Sequence, residues 1–385
     1  MALTDVYFSA GDVIRSALQD GTTPGTAFNA LNASSDDWGS NIKDAVRQDR
    51  RFIFLEGTYN VQSELVFTTS DPTIASPNIW VGAKSDGTLL EPQFDETGMH
   101  LVTDNYPKII NSANTNLIDT AAVEVFKCIY FENTNSSRNG ALINATFNEA
   151  KNVTFIGCFG KMIPNGVNAM VFVNFGGSMI MCEAVMNGTN YRRIVHAGGT
   201  NQSAVINCRV YGGGKSGTNE GRGIEMGTQN DSAVETLIYN VHGPAIYDGT
   251  SNDRNSNMIN CTVISIGGDG HDTSDETTDQ RGTSIHGNIF FDIDGDGVKA
   301  NANDDDIVIA SFNAFGSIGG SNFVNLDSYE SMATLGNQTV STSDFVDFAN
   351  QDFRIRRSSP LYKGIGGTRN FGAIQNQDFE FVGAG

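Results

Sequence analysis

The chain has 385 residues, with 44 Asp+Glu against 24 Lys+Arg and a formal net charge of −20. That balance argues against a nucleic-acid partner, whose phosphates need a Lys/Arg footprint, and no run approaches the roughly 20 apolar residues of a membrane span. Apolar residues at 39% with a charged fraction of 18% argue against an acidic disordered chain, and 43 Gly beside 8 Pro predict many short turns between short strands.

The opening, MALTDVYFSAGDVIRSALQDG, shows no basic segment followed by an apolar run, so no Sec-type signal is visible. With TTPGTAFNALNASS, residues 1–35 read as an extended polar arm. Asp36-Asp37-Trp38 leads into SNIKDAVRQ, where Ile42, Ala45 and Val46 share one face and predict a short capping helix. RRFIFLEGTYNV reads as strand, turn at Gly57, strand.

From there one period organises the chain. Cys128, Cys158, Cys182, Cys208 and Cys261 recur at intervals of 30, 24, 26 and 53 residues. Tyr239 fills the double gap, Gly287 and Phe312 continue the series, and the mean step is about 26 residues. Residues two places either side are mostly apolar or small, as in Ile206/Cys208/Val210 and Ile259/Cys261/Val263, which is strand alternation. A second column, Ile194, Ile224, Ile246, His271 and Val298, runs in step. Two strand columns with one period imply stacked coils. Helical solenoids have longer repeats, propeller blades need about 40–50 residues, and the leucine-rich spacing is absent. A parallel β-helix remains, with about eleven coils between residues 50 and 345 at ~4.8 Å each. The five thiols, an odd number without a C-x-x-C pair and each in an apolar stretch, read as buried small hydrophobes. The open ends of a solenoid need covers. The predicted organisation is therefore an arm over 1–35, a helix-capped solenoid over 36–345, and a C-terminal β cap and tail over 346–385, with strand pieces at Phe345–Phe348 and Phe353–Ile355.

The succession IKDAV, FIFLEGTYNV, coil repeats and FVDFANQDFRI…SSPLYKGIG…FGAI resembles, over residues 38–375, the right-handed parallel β-helix group of pectin-lyase-like proteins. The closing segment is similar to the ends of chondroitinase-B and alginate-lyase-type chains. The resemblance implies an all-β, right-handed, single-stranded parallel β-helix. It leaves activity open, because the fold serves lyases, hydrolases, bacteriophage tailspikes and non-catalytic virion proteins.

In the resembling lyases a Lys and an Arg move protons, and a calcium ion neutralises a uronate carboxylate, from outward positions on adjacent coils. Here the position after the second column reads Val195, Glu225, Tyr247, Asp272 and Lys299; the position before it reads Arg193, Gly223, Ala245, Gly270 and Gly297. Arg193, Arg222, Glu225 and His196 are the candidate catalytic residues, with Lys215, Glu220 and His242 nearby. The Glu-x-Glu and following Lys of the calcium-dependent lyases are absent, and solvated charges on a solenoid flank are the competing reading. DIDGDG at 292–297 places Asp292, Asp294 and Asp296 at positions 1, 3 and 5 of a calcium loop. The twelfth position is Asn303 rather than Glu, and a second acidic turn holds Asp269, Asp272, Asp275, Glu276 and Asp279. Calcium is the candidate cofactor; ordinary Asp/Gly turn chemistry is the alternative.

Three functions fit. The first is a structural or decoration protein of a virus particle, a bacteriophage above all, joined to other virion proteins through the N-terminal arm and touching host polysaccharide. The second is a lyase or hydrolase of an anionic polysaccharide, for which the net charge is adverse unless calcium or a groove at Arg192, Arg193 and Arg222 offsets it. The third is a carbohydrate-binding or adhesive module exported to a cell surface by a non-Sec route. The absence of a complete catalytic set favours a non-enzyme, and a homo-oligomer is compatible with each.

Overall fold

Within the coils, an inner strand pairs in parallel with the strand one repeat before and one repeat after it. In the computed structural model, Val153–Ile156 lies between Glu124–Lys127 and Ser178–Ile180. The structure describes residues 4–10, 22–24, 28–29, 50–61, 65–67, 78–120, 123–136, 140–145, 153–163, 168–198, 202–217, 220–227, 231–248, 256–273, 281–300, 307–325, 336–365 and 371–374. Among these, three sheets of twelve, eleven and ten strands, here A, B and C, wrap one hydrophobic core. The fold is an all-β parallel β-solenoid.

The regular turns number about eight rather than eleven. They run from Glu124–Lys127 to Phe323–Val324, with two less regular levels before them. Dividing length by period overcounts for two reasons. Residues 84–106 leave the coil between Asn78–Ala83 and Pro107–Asn111, and the two levels before Glu124–Lys127 are not regular turns.

The corner between sheets A and B explains the cysteines. One residue per turn, at Cys128, Gly157, Met181, Asn207, Glu235, Asn260, Gly287 and Phe312, adopts a left-handed conformation with φ of 50–72°. The next residue points inward, giving the stack Ile129, Cys158, Cys182, Cys208, Thr236, Cys261, Asn288 and Asn313. Its N–H would be buried without a partner. The side chain of the next turn accepts it: Cys158 N–H donates to Cys182 Sγ (3.3 Å), Cys182 N–H to Cys208 Sγ (3.4 Å), Cys208 N–H to Thr236 Oγ1 (3.3 Å) and Asn288 N–H to Asn313 Oδ1 (3.0 Å). The same side chains donate to sheet A carbonyls, Cys158 Sγ to Phe126 O and Asn288 Nδ2 to Met258 O. Thiol, hydroxyl and amide are interchangeable here because each is small, accepts one bond and gives one.

This geometry corrects the predicted columns. Cys128, Gly287 and Phe312 belong to the left-handed corner, one place before the inward stack, and Tyr239 lies three places beyond its member Thr236. In the second column Val195, not Ile194, pairs with Ile224. Steps in the inward stack that vary between 24 and 29 residues hide a one-residue offset. All five thiols are free and buried, and burial pushes Cys128 and Cys261 up to about 12. Cys182→Thr is expected to leave the urea midpoint nearly unchanged. Cys182→Val, which strands the Cys158 N–H, is expected to cost about 1–3 kcal/mol in the same measurement.

Two short strands within the predicted arm, among its described residues, belong to the solenoid. Thr4–Ser9 pairs in parallel with Arg50–Leu55, and Phe28–Asn29 pairs outside it. Phe8 is buried and stacks on Phe54 at 5.2 Å. Without this strand, Arg50–Leu55 would present an open edge beside the aromatic disc of Phe52, Phe54 and Trp80. The helix predicted over SNIKDAVRQ lies outside the described residues. At the other terminus Phe345–Asp347 and Asp352–Ile355 pair antiparallel, but they cover the outer face of sheet B. Phe345 and Phe348 meet Phe291, Phe353 meets Tyr239, and Ala373 N–H donates to Thr262 Oγ1 (2.8 Å). Tyr239, Ile264 and Phe291 make that face apolar enough to demand cover.

Candidate functional site

On the outer face of sheet C the register aligns His196, Glu225, Tyr247, Asp272 and Lys299 on successive turns. His196, not Val195, is the neighbour of Glu225, and Arg193 pairs with Arg222. The strands Arg193–Ala197 and Arg222–Met226 therefore bring all four predicted catalytic residues together.

Their geometry is that of a closed ion cluster. Arg193 Nη1 bonds Glu225 Oε1, and Arg222 Nη1 bonds Glu225 Oε2 at 2.7 Å. Arg222 also meets Glu220 Oε2 at 3.3 Å and lies 3.4 Å from the centroid of the Tyr247 ring, a cation–π contact. Arg192 meets Glu220 at 3.5 Å. Burial lowers Arg193 despite the support of Glu225. His196 sits between Gly198 and Gly227, where a Cβ would fall within 2.7 Å of its Nε2. Its Nε2 is 3.8 Å from Glu225 Oε1, beyond a hydrogen bond, and its Nδ1 is buried without a partner among the described residues. Burial, then the charges of Arg193, Arg192 and Arg222, hold His196 down to about 3, so it is neutral at physiological pH. Both oxygens of Glu225 are taken up by guanidinium groups, and an imidazole with no orienting partner is a poor general base.

In the described part of the acidic turns, protein groups engage the predicted calcium ligands. Lys215 Nζ sits between Asp292 Oδ1 (2.9 Å) and Asp294 Oδ1 (2.6 Å), and Ser265 Oγ donates to Asp292 Oδ2 (2.7 Å). Asp296 Oδ1 accepts the Ser321 N–H (2.7 Å), while Asp269 accepts the Asp296 N–H and pairs with Lys299. The three predicted ligands do not converge, and an ammonium group stands where the cation would bind; among the described residues no group of three ligand side chains is gathered. Asn303, Asp304, Asp275, Glu276 and Asp279 lie outside the described residues. Millimolar calcium is expected to leave the thermal midpoint unchanged, as read by a dye-based melt. Lys215→Met, by leaving Asp292 and Asp294 face to face, is expected to make the midpoint calcium-sensitive.

A second polar centre escaped sequence reasoning. The excursion 84–106 lies over sheet B, where Glu183, only 1% exposed, accepts bonds from Leu101 N–H (2.6 Å), His100 Nδ1 (3.2 Å) and Tyr211 Oη. That carboxylate raises His100. Beside it, on the next turn, Arg209 Nε donates to Gly98 O (2.6 Å). The one available signal was length, because a connection this long without regular structure is commonly functional.

No protein family and no curated protein matches the sequence. Among solved structures, the chain is similar to the crystal structure of pectate lyase Pel9A, with a TM-score of 0.57 at 14% identity over 97% of each chain. At that identity the likeness establishes the fold alone.

Proposed function

We propose that this chain is a polysaccharide-binding β-solenoid that holds glycan without cleaving it. The likeness to a pectate lyase supports a glycan as the partner. The observation that carries the non-catalytic part is the saturation of Glu225 by Arg193 and Arg222, with His196 neutral and unoriented beside them. The test pairs two measurements on the full chain. Affinity electrophoresis against a panel of neutral and acidic polysaccharides is expected to show retardation by at least one. Absorbance near 232 nm with pectate, alginate and chondroitin is expected to stay flat, and a rise would replace binding by lyase chemistry. Attachment to a virus particle gains no support from the N-terminal segment, because Thr4–Ser9 is a paired strand of sheet A.

A further inference from the structure

Between the excursion 84–106, the corner of sheets A and B, and the C-terminal residues Ala373 and Ile374 lies a cavity of about 310 Å³. Its size falls at the lower end of the range for small-ligand sites. Arg209 forms part of its wall and is 2% exposed. A guanidinium so buried normally has a carboxylate against it. Here no acidic oxygen lies within 4 Å among the described residues. The charge is met by Gly98 O (2.6 Å), Cys208 O (3.0 Å), Asn207 Oδ1 (3.3 Å) and the face of Phe94 at 4.1 Å. These contacts use Nε and Nη1. Nη2 has no protein partner among the described residues, and it would lie 3.9 Å from a Cβ added to Gly98, which also lines the cavity. Burial lowers Arg209 to about 10, which leaves it charged at neutral pH.

The remaining wall is mixed. Phe94, Met181 and Ile374 supply apolar surface, and Asp95, Glu96 and Asn207 supply acceptors. Asp95 Oδ1 is already occupied by Thr97 and by the Met99 N–H. One buried donor group, two carboxylates and an aromatic ring suit a ligand whose hydroxyls both give and accept bonds. They do not suit a carboxylate, which Asp95 and Glu96 would repel. We propose that this cavity is the subsite for one neutral sugar residue of the bound glycan, with Arg209 Nη2 donating to a ring hydroxyl and Glu96 accepting from another. This assignment rests on the polysaccharide-binding reading and places its specificity on the flank of sheet B, away from the Glu225 cluster.

The test is isothermal titration of the full chain with neutral hexose oligosaccharides (gluco-, galacto- and manno-configured) and with oligogalacturonate. It is repeated on Glu96→Gln, an exposed position whose change leaves the fold intact, and on Arg209→Met. Binding of a neutral oligosaccharide that weakens at least tenfold in both variants, with an unchanged melt for Glu96→Gln, is the expected result. If the wild type binds a neutral oligosaccharide and Glu96→Gln binds it equally well, the cavity assignment falls while the general function stands. If oligogalacturonate binds in preference, the ligand class is overturned. If nothing binds and the polysaccharide panel is also silent, the polysaccharide-binding reading falls and this assignment falls with it.

Discussion

Glu225→Ala is expected to destabilise the protein by about 3–5 kcal/mol, the cost typical of removing one partner from a buried ion cluster. Arg193 is 7% exposed and Arg222 is nearly as enclosed, so neither guanidinium can recover its hydration when the carboxylate is lost. The two positive charges would then face each other across the place Glu225 vacates. Glu225→Gln keeps shape and part of the hydrogen bonding but not the charge, and should fall between alanine and wild type. The decisive control is the combined Glu225→Leu, Arg193→Met, Arg222→Met chain. Replacing every charge of a buried cluster by apolar groups of similar volume is often neutral, so this chain should regain most of the loss in guanidinium denaturation. The sheet C cluster is then an internal strut. If Glu225→Ala instead melts like the wild type and abolishes turnover of some polymer, the cluster is a working site and the non-catalytic reading fails.

The fold was legible because a solenoid writes its period into the chain. Cys158, Cys182 and Cys208 stand at intervals close to one turn, and the structure stacks them in adjacent turns with bonds from N–H to Sγ. What the period could not supply was phase. Asn288 and Asn313 do the same work as those thiols, but they share no residue type with them, so the period points to Gly287 and Phe312, one place early. The same offset places Val195 where His196 stands. Contacts that leave the repeat had no sequence signal. Lys215 reaches Asp292 across 77 residues, Leu101 reaches Glu183 across 82 and Gly98 reaches Arg209 across 111. Each links a turn or an excursion to a coil several levels away, and nothing in local spacing selects the partner. The acidic turn is a case in point, since DIDGDG is legible by itself and the lysine that reaches Asp292 and Asp294 is not.

Acid should unfold this protein through its buried imidazoles, and His271→Ile should remove about half of that sensitivity. His271 points into the core between Ile246 and Val298, is 1% exposed, and leaves both ring nitrogens without partners. Burial holds it down to about 4, and His196 is held down to about 3. In the unfolded chain both return to an ordinary value near 6.5. Between pH 6.5 and 4 the unfolded state therefore takes up protons that the folded state refuses, and stability falls as pH falls. Each histidine contributes about 1.4 kcal/mol per pH unit across that window, so from pH 6.5 to 4.5 the pair costs roughly 5 kcal/mol. Isoleucine at 271 matches the column it joins and titrates nowhere. At neutral pH the variant should already gain about 1–3 kcal/mol, because two unpaired polar atoms leave the core. Its advantage over the wild type should then widen by about 2.7 kcal/mol on going to pH 4.5, and stop widening once pH falls below the folded value of His271. Urea midpoints of both chains at half-unit steps from pH 7 to 3.5 read this difference directly. A constant gap would mean that His271 is protonated in the fold, with a partner in the core that balances its charge.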